Sequence, residues 1–216
     1  MERLYGRFRV YEEFLQPEKS DTVLSIGCRF GHFEKNILQR VNKIYAMDVD
    51  KNQLELGREK EPRIIFEYGD ITKKTRFPDE YFDKIIFTEV IEHLPEGMEL
   101  KALREINRIL KKGGMLLFST PNDHIVSKFS DPLWWVAGHR HYSPGKINDI
   151  LEKSGFSAEK TLIGGGYLQS LLMPGFYLLC VSRLYNEGSL DRAVNHEYVK
   201  EGFWTIIIKA RKECPV

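Results

Sequence analysis

The chain has 216 residues, of which 42% are hydrophobic and 29% charged, a composition that excludes disordered, collagen-like and disulfide-scaffold proteins. Its 32 basic and 31 acidic residues give a formal net charge of +1. A nucleic-acid partner is therefore disfavoured, because binding to a phosphate backbone depends on an excess of positive charge.

The cysteines and the first residues indicate the compartment. Cys28, Cys180 and Cys214 are far apart and form no CxxC pair, so neither a disulfide framework nor a structural zinc site is predicted. No histidine–carboxylate cluster in the sequence is tight enough to predict another metal site. The first residues mix charges and lack the apolar segment of a signal peptide. We therefore expect a cytoplasmic protein.

A single domain over residues 1–216 is predicted, beginning with a helix within residues 1–20. Short apolar runs then alternate with longer amphipathic segments, the pattern of a parallel sheet crossed by helices. The runs predicted as strands are Thr22–Ile26, Lys43–Met47, Ile64–Tyr68, Lys84–Phe87 and Met115–Ser119. The segments predicted as helices are Gly31–Arg40, Lys51–Glu59 and Gly97–Leu110. The fold class is therefore α/β.

The third helix is predicted to end at Lys111–Gly114, where cations meet the negative helix end and glycine permits a left-handed cap. A further helix is predicted from Ser143-Pro144, a hydroxyl cap followed by an N1 proline, to Ser154. Two more strands, Phe156–Ile163 and Phe203–Ala210, bring the sheet to about seven strands.

An apolar insertion, residues 164–201, separates the last two predicted strands. Its run Leu171–Val181 is too short to span a bilayer and contains Pro174. Three interpretations stay open: a helical cap packed on the sheet, an apolar lid over an acceptor pocket, and a peripheral membrane contact or dimer surface.

Ligands of an open parallel sheet bind beyond the carboxyl ends of its strands. The first strand is followed by Gly27–Gly31, the second by Asp48, the third by Asp70 and the fourth by Thr88-Glu89. A glycine loop can turn tightly into a helix whose free N–H groups hold an anion. Asp48 lies 21 residues after Gly27, a spacing typical of a carboxylate that binds both ribose hydroxyls.

The dinucleotide motif GxGxxG requires glycine two positions after the first, where this chain has Arg29. NAD and FAD are therefore disfavoured. A ligand with an adenosine but no pyrophosphate needs less backbone clearance, and S-adenosylmethionine is such a ligand.

These segments resemble the class I S-adenosylmethionine-dependent methyltransferases over residues 20–163. VLSIGCRFGHFEKNIL resembles the first motif of that family, YAMDVDKNQL its second-strand acid, and FEYGDI its adenine-side acid. FPDEYFDKIIFTEVIEHLPE, ALREINRILKKGGMLLFSTPN and HYSPGKINDILEKSGF are similar to a subgroup that includes quinone and other small-molecule methyltransferases.

The resemblance implies a Rossmann-like seven-stranded sheet with helices on both faces and an antiparallel last strand, and S-adenosylmethionine as cofactor. In it, the glycine loop brackets the methionine part, the second-strand acid holds the ribose, and the residues after the third and fourth strands lie near the adenine and the sulfonium. The implied cofactor-binding residues are Gly27, Cys28, Arg29, Gly31, Asp48, Val49, Asp70, Ile71, Thr88 and Glu89.

Two residues depart from the family pattern. Ser25 stands where the family usually has an acid, and Arg29 stands where it usually has glycine. A positive φ at Arg29 would cost about 1 kcal/mol. The arginine side chain would then either crowd the methionine carboxylate or pair with it.

Methyl transfer from a sulfonium depends mainly on positioning, and a base is needed only where the acceptor must lose a proton. His93 and His141 are the catalytic candidates, each with a purely structural role as its alternative. His32, His124 and His196 are expected to face solvent.

Trp134, Trp135 and Tyr142, with the apolar insertion, indicate a small-molecule acceptor that is apolar or aromatic. One alternative is a non-catalytic adenosyl-binding or scaffold module, and another is a nucleotide-dependent oxidoreductase. The oligomeric state stays open.

Overall fold

The computed structural model describes residues 4–29, 31–181 and 189–213. The strands in these ranges are β1 Thr22–Ile26, β2 Lys43–Asp48, β3 Ile65–Tyr68, β4 Phe82–Thr88, β5 Leu110–Pro121, β6 Phe156–Gly164 and β7 Thr205–Lys212. They form one sheet in the order β3-β2-β1-β4-β5-β7-β6. The described helices are α1 Gly6–Leu15, α2 His32–Ile37, α3 Lys51–Lys60, α4 Glu99–Ile109, α5 Ile125–Ser130, α6 Pro132–Ala137, α7 Pro144–Glu152, α8 Tyr167–Val181 and α9 Ser189–Ala193.

The strand directions confirm the predicted fold class. The first five strands pair in parallel, whereas β7 runs antiparallel to both β5 and β6. The carboxyl ends of β1, β2, β3, β4 and β5 therefore meet at one edge of the sheet, which is where an α/β sheet binds its ligand.

Successive side chains of β4 point to opposite faces of the sheet, and each face is covered by its own apolar core. Ile85 and Phe87 belong to a core that also contains the buried faces of α4 and α7. Ile86 belongs to the other core, which contains those of α1, α2 and α3. Burial on both faces explains why β4 is an almost continuous apolar run rather than an alternating one.

Helix starts follow the predicted capping chemistry where a polar side chain precedes the helix. The Ser143 hydroxyl accepts a hydrogen bond from the backbone N–H of Lys146 at 3.3 Å, and Pro144 occupies the first helical position. Asp50 caps α3 in the same way, accepting from the backbone of Asn52 and Gln53. Both helices begin at the carboxyl-edge loops, so these caps fix the loops that surround the candidate site.

The predicted glycine cap at Lys111–Gly114 is wrong. The backbone turns extended at Leu110, with φ −81° and ψ 137°, and these residues belong to β5. Leu110 is fully buried and pairs with Phe82, after which the register shifts. Gly113, at φ +66°, therefore serves a strand irregularity rather than a helix end, because burial of Leu110 outweighs the local cap signal.

The first helix and the insertion between the last two strands differ from their predictions. The first helix covers only Gly6–Leu15 and is followed by Gln16 at φ +46°. The insertion folds into α8, α9 and a 3-10 turn, Asn195–Tyr198. None of the helices in the described ranges has the length and apolar character of a membrane span.

The acid missing at Ser25 is supplied from α2. The Ser25 hydroxyl donates a hydrogen bond to Glu34 Oε1, and Glu34 is only 4% exposed. Burial raises the pKa of the Glu34 carboxyl, and the Ser25 hydrogen bond only partly offsets that rise. A buried carboxyl therefore lies beside Ser25, although it comes from another element.

We expect Glu34→Gln to change the pH dependence of stability. Because the folded-state pKa is raised, the protonated carboxyl stabilises the fold below its unfolded-state pKa, and this contribution is lost as pH rises through the folded-state pKa. Glutamine keeps an acceptor for Ser25 but cannot ionise. In thermal melts from pH 5 to 9, the melting temperature of Glu34→Gln should rise relative to that of the wild type as pH rises. Glu55→Gln changes a residue on the exposed side of α3, and its melting temperature should differ from that of the wild type by the same amount at every pH.

Candidate active site

The glycine loop after β1 requires glycine at its first position. Gly27 has φ +73° and donates its N–H to the Met47 carbonyl at 2.8 Å. A Cβ at Gly27 would lie 2.3 Å from Cγ2 of Val90, in the segment after β4. The turn is therefore packed directly against the neighbouring carboxyl-edge segment.

Arg29 adopts the left-handed conformation that glycine would adopt without strain. Its φ is +52°, its side chain is exposed, and its backbone N–H donates to Asp48 Oδ2 at 2.8 Å. That hydrogen bond ties the loop after β1 to the end of β2. The residue between Arg29 and Gly31, Phe30, lies outside the described residues.

Asp48 joins two loops through its carboxylate. Besides the bond from Arg29, its Oδ1 accepts the backbone N–H of Asp50 at 3.0 Å. The side chain is half-buried, and the next residue, Val49, is 62% exposed. Each carboxylate oxygen has a second lone pair, so Asp48 can hold the loops and still accept hydrogen bonds from a ligand.

Asp70, after β3, is also held as a carboxylate. Its Oδ1 accepts the hydroxyl and the backbone N–H of Thr72 at 2.7 and 3.0 Å, and its Oδ2 lies 3.1 Å from Lys73 Nζ. The Thr72 hydroxyl is the largest cause that lowers the pKa of Asp70, despite an opposing effect of partial burial. The next residue, Ile71, is buried, so a charged and an apolar side chain lie side by side.

Thr88 and Glu89 end the fourth strand, both half-buried. Glu89 has φ +55°, and its Oε1 accepts the Ser119 hydroxyl at 2.7 Å. Ser119 is also 2.7 Å from the Tyr11 hydroxyl of α1, and Arg7 lies 4.0 Å from Glu89 Oε2. The N-terminal helix thus reaches the candidate site and fixes the orientation of Glu89.

Beyond β4 and β5, two histidines share one buried carboxylate. Asp131 Oδ2 lies 2.6 Å from His139 Nδ1 and 3.0 Å from His141 Nε2. The other ring nitrogen of His141 is 3.0 Å from the Asn122 carbonyl oxygen. Burial opposes ionisation of Asp131, but the hydrogen bonds from both histidines outweigh it and hold its pKa well below the usual range.

The two predicted catalytic histidines lie in different surroundings. The side chain of His141 is 0% exposed and both of its ring nitrogens are engaged. His93 is exposed, and its ring centroid is 4.6 Å from that of His139. Desolvation of its ring, followed by the nearby His139, lowers the pKa of His93 to about 4. Of the two, His93 is the one with an exposed side chain, whereas His141 is among the residues that line the neighbouring cavity.

Of the three histidines predicted to face solvent, only one is exposed. His196 is exposed, whereas His32 and His124 are half-buried. His124 Nδ1 caps α5 by accepting the Val126 N–H at 3.3 Å. Among the cysteines, Cys28 is buried, and burial raises its pKa well above the usual range. Cys214 and the side chain of Cys180 lie outside the described residues.

A cavity of about 270 Å³ adjoins the histidines. Its walls combine aromatic and cationic side chains: Lys128, Trp134, His139, Arg140, His141, Tyr142 and Lys146. Beside it, α5, α6 and α8 contact one another and expose apolar side chains. We call this set the apolar surface: Ile125, Phe129, Trp135, Val136, Tyr167, Leu171 and Leu178, each at least 60% exposed.

Sequence reasoning missed three buried members of the site, Glu92, Asp131 and His139. No motif identifies these three residues as site members. Glu92 and Asp131 lie in segments rich in apolar residues, and His139 comes just before the predicted candidate His141. The one available signal was the density of acids and histidines in EVIEH and GHRHY, both placed after strands of the predicted sheet.

The sheet order, the antiparallel last strand and the acids after β2 and β3 together define a Rossmann-like methyltransferase fold. A family model described as a methyltransferase domain matches residues 2–161. The chain therefore belongs to this methyltransferase domain family.

Individual proteins are similar to this chain in sequence or in fold. The chain is 28% identical over 153 residues to a probable S-adenosylmethionine-dependent methyltransferase of Mycolicibacterium smegmatis, covering 71% of this chain and 58% of that protein. A putative methyltransferase from Bacillus halodurans has a similar structure, with a TM-score of 0.68, 19% identity and coverage of 96% and 99%. A [4+2]-cyclase, SpnF, is similar in fold at a TM-score of 0.73 and 19% identity, covering 97% of this chain and 81% of that one. The chain thus spans little more than half of the Mycolicibacterium protein.

Proposed function

We propose that this protein transfers the methyl group of S-adenosylmethionine to an apolar or aromatic small molecule. The observation that carries the proposal is the position of the apolar surface, beside the carboxyl-edge site that the family uses for chemistry. Exposed apolar side chains grouped on one surface are typical of a site that binds a ligand or a partner.

The residues at the edge fit an adenosyl ligand. The glycine loop would bracket the methionine part through Gly27, Cys28, Arg29 and Gly31, and the Asp48 carboxylate would accept the ribose hydroxyls beside Val49. Around the rest of the ligand, Asp70 and Ile71 offer one charged and one apolar side chain for adenine, and Thr88 and Glu89 lie toward the sulfonium. The cofactor supplies a methyl group whose transfer relieves the positive charge on sulfur.

On the acceptor side, positioning and exclusion of water are the main tasks. His93 is the candidate that contacts the acceptor, because its side chain is exposed in the turn that follows β4. The role we propose for His141 is that of a positioning residue: its two hydrogen bonds hold Asp131 and the Asn122 backbone in place.

A panel of acceptors tests the proposal directly. Incubation with methyl-labelled S-adenosylmethionine should give labelled products from aromatic and lipid-like acceptors. Labelling confined to polar sugars or to proteins would contradict it.

A variant of the apolar surface should separate acceptor binding from cofactor binding. Phe129→Ala removes a ring packed against Trp134 and Trp135 and should raise KM for an apolar acceptor roughly tenfold, about 1–2 kcal/mol of lost apolar contact. Cofactor affinity should not change. The matched control is Leu56→Ala, since Leu56 is also exposed, at 45%, but lies on α3; an equal effect of both variants would contradict the assignment.

A non-catalytic adenosyl-binding or scaffold module of the same fold is the second candidate. The strained Arg29 in the glycine loop favours it. Calorimetry separates the cases: a scaffold would bind neither the cofactor nor its demethylated product, whereas a non-catalytic adenosyl-binding module would bind them and show no turnover with the acceptor panel.

A further inference from the structure

Two buried polar atoms face each other without a bonding partner. Glu92 Oε1 and His139 Nε2 are 3.8 Å apart, and neither makes a hydrogen bond within the described ranges. Glu92 is 3% exposed and His139 is 8% exposed. Their separation is too long for a hydrogen bond, and leaving buried polar atoms unpaired is costly. The pair therefore implies an additional group between them.

The hydrogen bonds around the pair indicate which kind of group would fit between the two atoms. Asp131 Oδ2 lies 2.6 Å from His139 Nδ1, and with the ring proton on Nδ1 the Nε2 atom presents a lone pair. Thr120 donates to the other oxygen of Glu92 at 3.0 Å, which leaves Oε1 as an acceptor. Two electron-pair donors facing each other across 3.8 Å suit a cation. A carboxylate on the far nitrogen is the usual support of a histidine that binds a metal.

His93 supplies a third donor. Its ligating nitrogen, that of His139 and the Glu92 oxygen all lie within 4.8 Å of one another. Two donors about 2.1 Å from one metal ion are at most about 4.2 Å apart. Glu92 and His139 already meet this limit, and the exposed His93 can close the remaining gap by side-chain rotation.

The surrounding charge is also suitable for a cation. Asp131 Oδ2 lies 2.6 Å from the Nδ1 atom of His139, so two carboxylates, those of Glu92 and Asp131, flank the His139 ring. One cation, Arg140, directly follows His139 in the chain. Arg140 is already paired with Glu99 at 2.9 Å. A bound dication would relieve the repulsion among the carboxylates.

We propose that Glu92, His93 and His139 bind one divalent first-row transition-metal ion, with Asp131 orienting His139. Two imidazoles and one carboxylate favour ions such as Zn²⁺ or Co²⁺ over Mg²⁺ or Ca²⁺. Three protein ligands leave coordination positions open to a further molecule. The site lies next to the carboxyl ends of β4 and β5, and in it His93 serves as a ligand.

Titration of the metal-free, untagged chain tests this proposal without any measurement of methyl transfer. Co²⁺ binding is followed by visible absorption, and Zn²⁺ binding by calorimetry. We expect one equivalent of each ion to bind. Glu92→Gln and His139→Gln should abolish the cobalt band, Asp131→Asn should weaken binding about 10–100-fold, and His196→Ala, on an exposed histidine, should have no effect.

His93→Ala keeps the test decisive if the buried variants do not fold. His93 is exposed, so this variant should retain the wild-type circular dichroism while losing about tenfold or more in metal affinity. Absence of stoichiometric binding to the wild type would overturn the proposal. Equal affinity of the wild type and His93→Ala would also overturn it, because the ion would then be bound elsewhere.

Discussion

Asp48→Ala should weaken the binding of S-adenosylmethionine and of its demethylated product by about 5- to 150-fold. The loss corresponds to about 1–3 kcal/mol for removal of a charged hydrogen-bond acceptor. In addition, the backbone N–H groups of Arg29 and Asp50 would lose the carboxylate that holds them. Isothermal titration calorimetry with both ligands gives the two affinities.

Asp50→Ala is the matched control for that experiment. Asp50 lies in the same loop, but its side chain caps α3 rather than joining β1 to β2. The control should lower stability by about 1 kcal/mol with little change in affinity. Unchanged affinity in Asp48→Ala, or an equal loss in both variants, would show that Asp48 does not hold the ribose.

Gly27→Ala should destabilise the protein by about 2–5 kcal/mol and abolish cofactor binding, through strain and overpacking together. Part of the cost is the left-handed conformation at φ +73°, about 1–2 kcal/mol for an L side chain. The remainder is the overlap of the new Cβ with Val90, which overpacks the loop at a cost of about 1–3 kcal/mol. Chemical denaturation monitored by fluorescence measures the change in the free energy of unfolding.

Two further variants separate these costs. Gly97 has φ +80°, and a Cβ added there would meet nothing within 4 Å, so Gly97→Ala should show the conformational cost alone. Combining Gly27→Ala with Val90→Ala should recover the steric part only. If Gly27→Ala is no worse than Gly97→Ala, the close approach of the glycine loop to Val90 is not a constraint.

The sheet could be predicted from sequence because its strands are short apolar runs bounded by Gly, Asp or Pro. Burial on both faces produces such runs directly, as in Lys84–Phe87 of β4. The boundary at Leu110 could not be predicted, since the local lysine and glycine signals favour a helix end. Only the sheet partner Phe82 makes the extended conformation at Leu110 the better one.

The residues on the cofactor side of the site could be predicted from sequence for a related reason. The carboxyl ends of parallel strands meet at one edge, so the residues that follow them in sequence become neighbours in space. The Glu92, Asp131 and His139 cluster is different, because it brings together the turn after β4, the N-cap of α6 and the loop before α7. The replacement of the acid at Ser25 by Glu34 is likewise a tertiary contact that no spacing rule encodes.

Calorimetric titration of the purified wild-type chain with S-adenosylmethionine, with its demethylated product and with NAD tests the central claim most directly. The account predicts saturable one-to-one binding of the first two ligands and none of the third. A folded protein that binds neither adenosyl ligand, or that binds NAD in their place, would contradict it.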